Sequence, residues 1–185
     1  MWIVLTVVLL LVVGGILLYN GLVGARIRVD NAWADVDVQL KRRYELIPNL
    51  VETVKGYAGH ERDTLEAVIE ARNQAVQAEG PEQQARAENM LTGALRQLFA
   101  RSEAYPQLRA VESFTRLQQS LEEIEHAIQN ARRYYNAVVR DYNTRIEQIP
   151  GSLLAGPLGF QPRHFFGLED EAQREAPRVS FEDEG

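Results

Sequence analysis

The chain has 185 residues, of which 45% are hydrophobic and 25% are charged, and its net charge is −6. This balance permits a packed core and excludes a chain that is disordered throughout, collagen-like or of low complexity. The sequence contains no cysteine. Disulfide scaffolds, thiolate zinc sites, iron–sulfur clusters and thiol nucleophiles are therefore excluded as well.

The N-terminus is strongly apolar. Residues 2–18 carry no charge, and only Thr6 and two glycines among them are not large and apolar. With residues 19–25 the stretch reaches about 24 residues, enough to cross about 30 Å of hydrocarbon. No basic residue precedes it, whereas a secretory signal peptide begins with a basic region. We predict an uncleaved transmembrane anchor over residues 1–20, in contact with membrane lipid; cleavage after Ala25 is the alternative.

Basic residues follow the anchor. Arg26 and Arg28 come directly after it, and residues 41–43 add three more basic side chains slightly beyond. Positive charge beside a membrane span favours the cytoplasmic side. We therefore predict a single-pass protein with a short N-terminus outside and its body in the cytoplasm.

Residues 21–149 show the period of long helices. Apolar residues recur in steps of three and four, which is typical of amphipathic α-helices. The first helix should end near Gly59, with a kink or break near Ile47 because Pro48 cannot donate its N–H. Gly-Pro at 80–81 and Tyr-Pro at 105–106 separate the next helices. We expect helices from about residue 61 to residue 80, from 81 to 104 and from 108 to 149.

These patterns predict an all-α fold. No stretch alternates with period two beside a hairpin turn, so we expect no sheet. Long amphipathic helices joined by short loops form an elongated antiparallel bundle of three to four helices after the transmembrane helix. The apolar face should include Leu65, Val68, Ile69, Arg72 and Val76 in the second helix, and Ala87, Met90, Leu91, Ala94, Leu95 and Leu98 in the third.

The C-terminal part differs in composition. Residues 150–168 contain three prolines and four glycines, which we expect to exclude a helix, yet they are rich in Leu and Phe. We predict an extended segment docked on the bundle that buries Phe160, Phe165 and Phe166; a clip for a partner or the membrane is the alternative. Residues 169–185 hold seven acidic side chains against two arginines and should form a flexible tail. The body before the tail is nearly neutral, which disfavours a nucleic-acid partner.

Catalytic patterns are missing from the sequence. Glu123 and His126 have the spacing of a di-metal ligand pair, but a di-metal bundle needs that pair twice. The sequence has no Gly-rich phosphate loop and no nucleophile elbow. We therefore predict no catalytic residue, no metal ligand, no cofactor and no enzymatic activity.

Polar residues near the helix seams form the candidate partner surface. They are Asn49, Tyr134, Tyr135, Asn136 and Asn143. Tyrosine suits an interface because it combines an apolar ring with a polar tip. The ordinary interpretation is that such groups between helices fix their register.

Several motifs resemble the LemA family. They are NAW at 31–33, VQLKRR at 38–43, LIPNLVETVKGY at 46–57, EAYP at 103–106, ARRYYN at 131–136, DYN at 141–143 and FF at 165–166. The resemblance spans about residues 19–181. It implies a bacterial membrane protein with an N-terminal anchor and a helical bundle, and it supplies no catalytic residues.

Two functions fit these expectations. The leading hypothesis is a non-enzymatic scaffold or adaptor, tethered to the bacterial inner membrane, that binds an unknown protein partner. The alternative is a homo-oligomer that assembles to organise or remodel the membrane.

Overall fold

Helices are the only regular secondary structure over residues 1–167, the part that the computed structural model describes. The acidic tail predicted at 169–185 lies outside the described residues. The helices are α1 (Trp2–Tyr57), α2 (Arg62–Gln77), α3 (Gly80–Ser102), α4 (Pro106–Arg109), α5 (Glu112–Glu147) and α6 (Gly151–Ala155). No strand occurs in this part of the chain, so the predicted all-α fold class is confirmed.

The first helix, α1, combines the apolar N-terminal stretch and the first bundle helix in one element. Its 56 residues make it about 84 Å long at 1.5 Å per residue. Among the helices of residues 1–167, α1 alone is long and apolar enough to span a membrane, and none of its most apolar window is buried. A core helix of a water-soluble protein would instead bury that window in its own fold.

The most extensive helix–helix interface in the bundle is formed by α1 and α5, which run antiparallel to each other. Leu22 lies beside Gly151 at one end, and the rings of Trp33 and Tyr135 are 5.2 Å apart further along. Arg43 approaches Glu125 near the other end. The seam residues of α1 predicted from the apolar period are buried, apart from the half-buried Trp33. The buried ones are Leu22, Val29, Val36, Leu40, Tyr44, Ile47, Val51, Val54 and Ala58.

The hairpin of α2 and α3 packs on the part of α1 that lies beyond Arg43. Its buried face differs from the predicted one, because Ile69, Val76 and Met90 are exposed. The small residues Ala71 and Ala75 are buried in α2 instead. Alanines at this face permit α2 to approach its neighbouring helices closely. The larger side chains of Ile69 and Val76 then lie outside the helix–helix contact.

The predicted helix over 108–149 is divided in the structure. Leu108 is buried in the short helix α4, and Val111 adopts an extended conformation before α5 begins at Glu112. The carbonyl of Val111 then accepts hydrogen bonds from the N–H groups of Phe114 and Thr115. The interruption follows from this capping geometry, which needs no Gly or Pro and therefore left no mark in the sequence.

One helix that was not predicted forms among the described residues 150–167. The turn α6 forms at Gly151–Ala155, and the N–H of Ser152 donates to the carbonyl of Gln148 at 2.9 Å. The expected exclusion of helix was wrong here because the glycines and prolines lie around residues 152–155 rather than within them.

The helix α1 also continues past Pro48 to Tyr57, so of the kink or break predicted near Ile47 the break does not occur. A proline at position 48 leaves the carbonyl of Tyr44 without its helical donor. The structure supplies a replacement, since the Nε–H of Arg72 in α2 donates to that carbonyl at 3.3 Å. The side chain of a neighbouring helix thus completes the hydrogen bonding that the proline interrupts.

Replacing Arg72 by methionine tests this arrangement. The change removes the donor but keeps much of the aliphatic side chain. We expect the free energy of unfolding of the full chain in detergent micelles, measured by urea titration, to fall by about 1–3 kcal/mol because a largely buried carbonyl loses its partner. In a Pro48→Ala background the restored backbone N–H bonds to the Tyr44 carbonyl, so Arg72→Met should cost clearly less. Equal costs in both backgrounds would contradict the assignment.

Candidate functional site

Between α1 and α5 lies a groove that holds the last described residues of the chain. We call residues 160–167 the strap. Phe160 and Phe166 of the strap are buried, and Phe165 is half-buried against the same core. The groove is therefore the place where this bundle binds an extended segment.

Two asparagines of α5 bind the main chain of the strap. The amide of Asn143 donates to the carbonyl of Arg163 and accepts from its N–H, both at 2.9 Å. Asn136 makes the same pair of bonds with Phe166, at 3.0 and 2.8 Å. An asparagine side chain carries both a donor and an acceptor, so each one binds both main-chain polar groups of a single strap residue.

The spacing of these contacts follows from the geometry of the two elements. Asn136 and Asn143 are two helical turns apart, a rise of about 10 Å. Arg163 and Phe166 are three residues apart, and an extended chain also covers about 10 Å over three residues. The strap runs antiparallel to α5, so the two repeats stay in register.

Two tyrosines add further donors to strap carbonyls. The hydroxyl of Tyr135 donates to the carbonyl of His164 at 2.8 Å, and that of Tyr142 donates to the carbonyl of Gln161 at 3.0 Å. Burial raises the pKa of Tyr135 to about 12 and also raises the pKa of Tyr142. Both hydroxyls therefore stay protonated and remain donors at neutral pH.

Aromatic and charged contacts fix the side chains of the strap. The ring of Trp33 in α1 lies 5.7 Å from the ring of Phe166, and the guanidinium of Arg132 lies 5.4 Å from that ring on another side. The Nε–H of Arg132 also donates to the carbonyl of Phe166 at 3.0 Å. Arg163 forms an ion pair with Asp30 of α1 at 2.9 Å. The strap thus connects α1 to α5.

The residues predicted as a partner surface are only partly brought together. Tyr135, Asn136 and Asn143 line the groove, where the chain's own strap occupies them. Tyr134 remains 55% exposed on α5. Asn49 is exposed on α1, about 24 Å along that helix from Trp33, and does not belong to this site. Tyr142 and Arg132 also bind the strap, and neither was predicted as a site residue.

A buried polar cluster lies near the other end of the bundle. Nη1 of Arg43 is 3.1 Å from Oε2 of Glu88 and 3.0 Å from Oε2 of Glu125. The hydroxyl of Tyr44 donates to Glu88, and Nε2 of Gln84 donates to that hydroxyl at 2.8 Å. These side chains join α1, α3 and α5. They lie beside a cavity of about 300 Å³ that is also lined by Thr92 and Arg96 of α3.

The polar groups of the cluster pair with one another inside the bundle, and Oε2 of Glu125 has only its ion-pair contact with Arg43. Arg43 and Glu88 are each about 95% buried, and burial raises the pKa of Glu88 and of Tyr44. Over residues 1–167 no group of three or more His, Asp or Glu side chains is arranged to hold a metal ion. Gln84, Glu88, Leu91 and Leu95 follow one another in steps of three and four along α3. This helical spacing predicts that Gln84 and Glu88 lie on the buried face.

Glu88 gives the stability of the bundle a specific pH dependence. A carboxyl whose pKa is higher in the folded chain contributes stability below its ordinary pKa of 4.5, and that contribution is lost as the pH rises through the raised value. We expect the free energy of unfolding of the wild type, minus that of Glu88→Gln, to decrease as the pH rises above the ordinary carboxyl pKa of 4.5. Urea titrations of both proteins measure this difference, and a constant difference would contradict the raised pKa.

The asparagine contacts predict the dynamics of the strap. Asn143→Ala removes both hydrogen bonds to Arg163, so the Arg163 amide should exchange with deuterium about 30-fold faster, as expected for two bonds of about 1 kcal/mol each. The matched control is Asn130→Ala, because Asn130 is exposed on α5 and pairs with Arg133 of the same helix. Hydrogen–deuterium exchange of the full chain in detergent measures both. Equal exchange in the two variants would show that Asn143 does not hold the strap.

Comparison with known proteins places the chain in a family. The family model described as the LemA family matches residues 32–181. Two relatives, the magnetosome proteins MamQ 1 and MamQ 2 of Paramagnetospirillum magneticum, are each 27% identical to it over 159 residues, which cover 72% of this chain and 58% of the relative. The chain thus spans somewhat more than half of the length of these relatives. With its apolar α1 and sheet-free described part, the chain is a membrane-associated helical protein that belongs to the LemA family.

Proposed function

We propose that the protein is a non-enzymatic scaffold, anchored in the bacterial inner membrane by α1, that presents its bundle to a partner protein in the cytoplasm. The observation that carries the proposal is the continuity of α1, which runs as one helix from exposed apolar residues into the packed bundle. A folded body joined to a membrane span without a linker has a fixed distance and direction from the bilayer. This geometry suits positioning of a bound partner.

The dimensions of the bundle support this role. From residue 20 to residue 57, α1 extends about 55 Å beyond the proposed span. The antiparallel pairing with α5 stiffens much of that length, and the strap adds contacts to both helices near the membrane end. The bundle is therefore a stalk rather than a mobile domain on a tether.

The cytoplasmic orientation is supported by the charges that follow the span. Arg26 and Arg28 lie within two turns of its end. Positively charged residues at this position favour retention on the cytoplasmic side. The short N-terminus would then lie outside.

The absence of enzymatic activity is supported by the use that the structure makes of its polar side chains. Arg43, Glu88 and Tyr44 bind one another inside the bundle. Tyr135 and Asn136 bind the strap. These groups have structural partners already, which favours a binding protein.

The partner surface follows from what the strap leaves accessible. Tyr135, Asn136 and Asn143 are engaged, whereas Tyr134 presents more than half of its side chain to solvent on the adjoining face of α5. Exposed tyrosines contribute strongly to protein interfaces because they bury a large rigid ring and keep a polar hydroxyl. We place the centre of the partner surface at Tyr134.

Site-specific photo-crosslinking tests this proposal. A photoreactive phenylalanine analogue replaces Tyr134 of the full chain in cells, and mass spectrometry identifies the adducts. The matched control replaces Tyr57, which is 53% exposed on α1. We expect position 134 to give a defined adduct with another protein that position 57 does not give. Equal adducts at both positions, or none at position 134, would contradict the assigned surface.

Self-assembly is a second candidate, favoured by the chemistry of the strap contacts. Asn136, Asn143, Tyr135 and Tyr142 bind main-chain atoms, so they would accept the same segment from a second copy equally well. Exchange of straps would link copies into a larger assembly that organises the membrane. In the crosslinking experiment, an adduct of twice the chain mass would identify this function.

A further inference from the structure

Exposed apolar side chains surround α6. Ile149 is 81% exposed, Leu153 is 67% exposed and Leu158 is 47% exposed. These residues lie within ten positions of one another, before, in and after one helical turn. A contiguous apolar surface on a folded body marks a contact with a protein or with lipid.

The position of this surface along α1 is fixed by direct neighbours. A cavity of about 370 Å³ is lined by residues 148–151 on one side and by Leu17, Leu18, Gly21 and Leu22 of α1 on the other. Beyond α6, the ring of Phe160 lies 6.0 Å from the ring of Tyr19. The apolar surface around α6 therefore lies beside residues 17–22 of α1.

This part of α1 is where its apolar stretch meets its first charges. Residues 2–18 are uncharged, and Arg26 is the first charged side chain after them. In a bilayer that the apolar stretch spans, the boundary between acyl chains and head groups falls near residues 19–25. Because α1 is unbroken here, α6 cannot move away from that boundary without separating from α1.

We propose that Ile149, Leu153 and Leu158 form a second membrane contact, so that α6 rests in the interfacial layer of the bilayer that α1 spans. The occupant of this surface is the phospholipid bilayer itself. Short apolar segments lie in such a layer with their apolar side chains about 5–10 Å below the head groups. Arg26 and Arg28 of α1 and Arg145 of α5 lie at the same end of the bundle, where their side chains can contact the head groups.

The second contact determines the rotation of the bundle. A single span leaves a body free to turn about the axis of α1, whereas a contact beside that axis selects one direction. The strap follows α6 directly, so the groove between α1 and α5 acquires a fixed orientation relative to the membrane surface.

Lipid quenching tests the proposal, and the cysteine-free sequence makes single labelling sites available. Leu153→Cys and, independently, Ile149→Cys are labelled with an environment-sensitive fluorophore in the full chain. Each is reconstituted into vesicles of phosphatidylcholine and phosphatidylglycerol that contain lipids with a nitroxide near the head group. We expect fluorescence at both positions to fall by about half or more, as for probes seated at the interfacial depth of an amphipathic segment.

Two control positions separate the possible outcomes. Met90→Cys, at a residue 54% exposed on α3, should show no quenching. Leu9→Cys in the apolar stretch should be quenched by nitroxides deep in the bilayer. The inference rests on the membrane span of the proposed function. Quenching at residue 9 without quenching at 149 and 153, or quenching at residue 90 equal to theirs, overturns the α6 contact alone. No quenching at residue 9 overturns the span and with it both proposals.

Discussion

A proline inside a helix leaves one carbonyl without a donor, and the arrangement of this bundle depends on how the carbonyl of Tyr44 is satisfied. Arg72 of α2 provides the donor, while the hydroxyl of the same tyrosine is bound by Gln84 and donates to Glu88 of α3. The preceding residue, Arg43, contacts Glu125 of α5. Two consecutive residues of α1, Arg43 and Tyr44, therefore bind polar side chains from α2, α3 and α5. The four helices meet at the part of α1 where the proline would otherwise have interrupted the helix.

At the opposite end of the bundle, the strap also depends on side chains that satisfy main-chain groups. Its main chain has no strand partner, so its N–H and carbonyl groups need side-chain partners. Asn136 and Asn143 supply both kinds of group at a spacing that matches the extended chain. The rings of Phe160 and Phe166 are also buried, and burial of their apolar area stabilises the docked strap. Hydrogen bonding and apolar burial thus act together to close the groove between α1 and α5.

The sequence predicts most of the helices because the residue patterns that specify each helix lie within or directly beside it. The three-and-four spacing of Leu22 to Ala58 predicts the seam of α1, and Pro81 predicts the start of α3 within one residue. The continuity of α1 through Pro48 was not predictable in this way. It depends on Arg72, a residue 28 positions away from the carbonyl that it satisfies. Long-range hydrogen bonds of this kind leave no periodic trace.

Of the candidate site, only the side formed by α5 was predictable from the sequence. Tyrosines and asparagines at the seam of α5 indicate a surface that recognises polar groups, and three of the five predicted residues do line the groove. The occupant was not predictable from side chains, because Asn143 and Tyr142 bind main-chain atoms that every residue possesses. For Glu88, in contrast, the position was predictable, because its spacing places it in the apolar stripe of α3. The residue type was the misleading signal, since glutamate side chains usually lie at the protein surface.

In the proposed anchored arrangement, the unbroken length of α1 would make the protein a lever. Membrane helices change their tilt when the thickness of the surrounding bilayer changes. A change of about 10° at the span moves the far end of a rigid 55 Å arm sideways by about 10 Å. Thinning or thickening of the lipid layer around the proposed span would then be converted into lateral displacement of the distal end of the bundle.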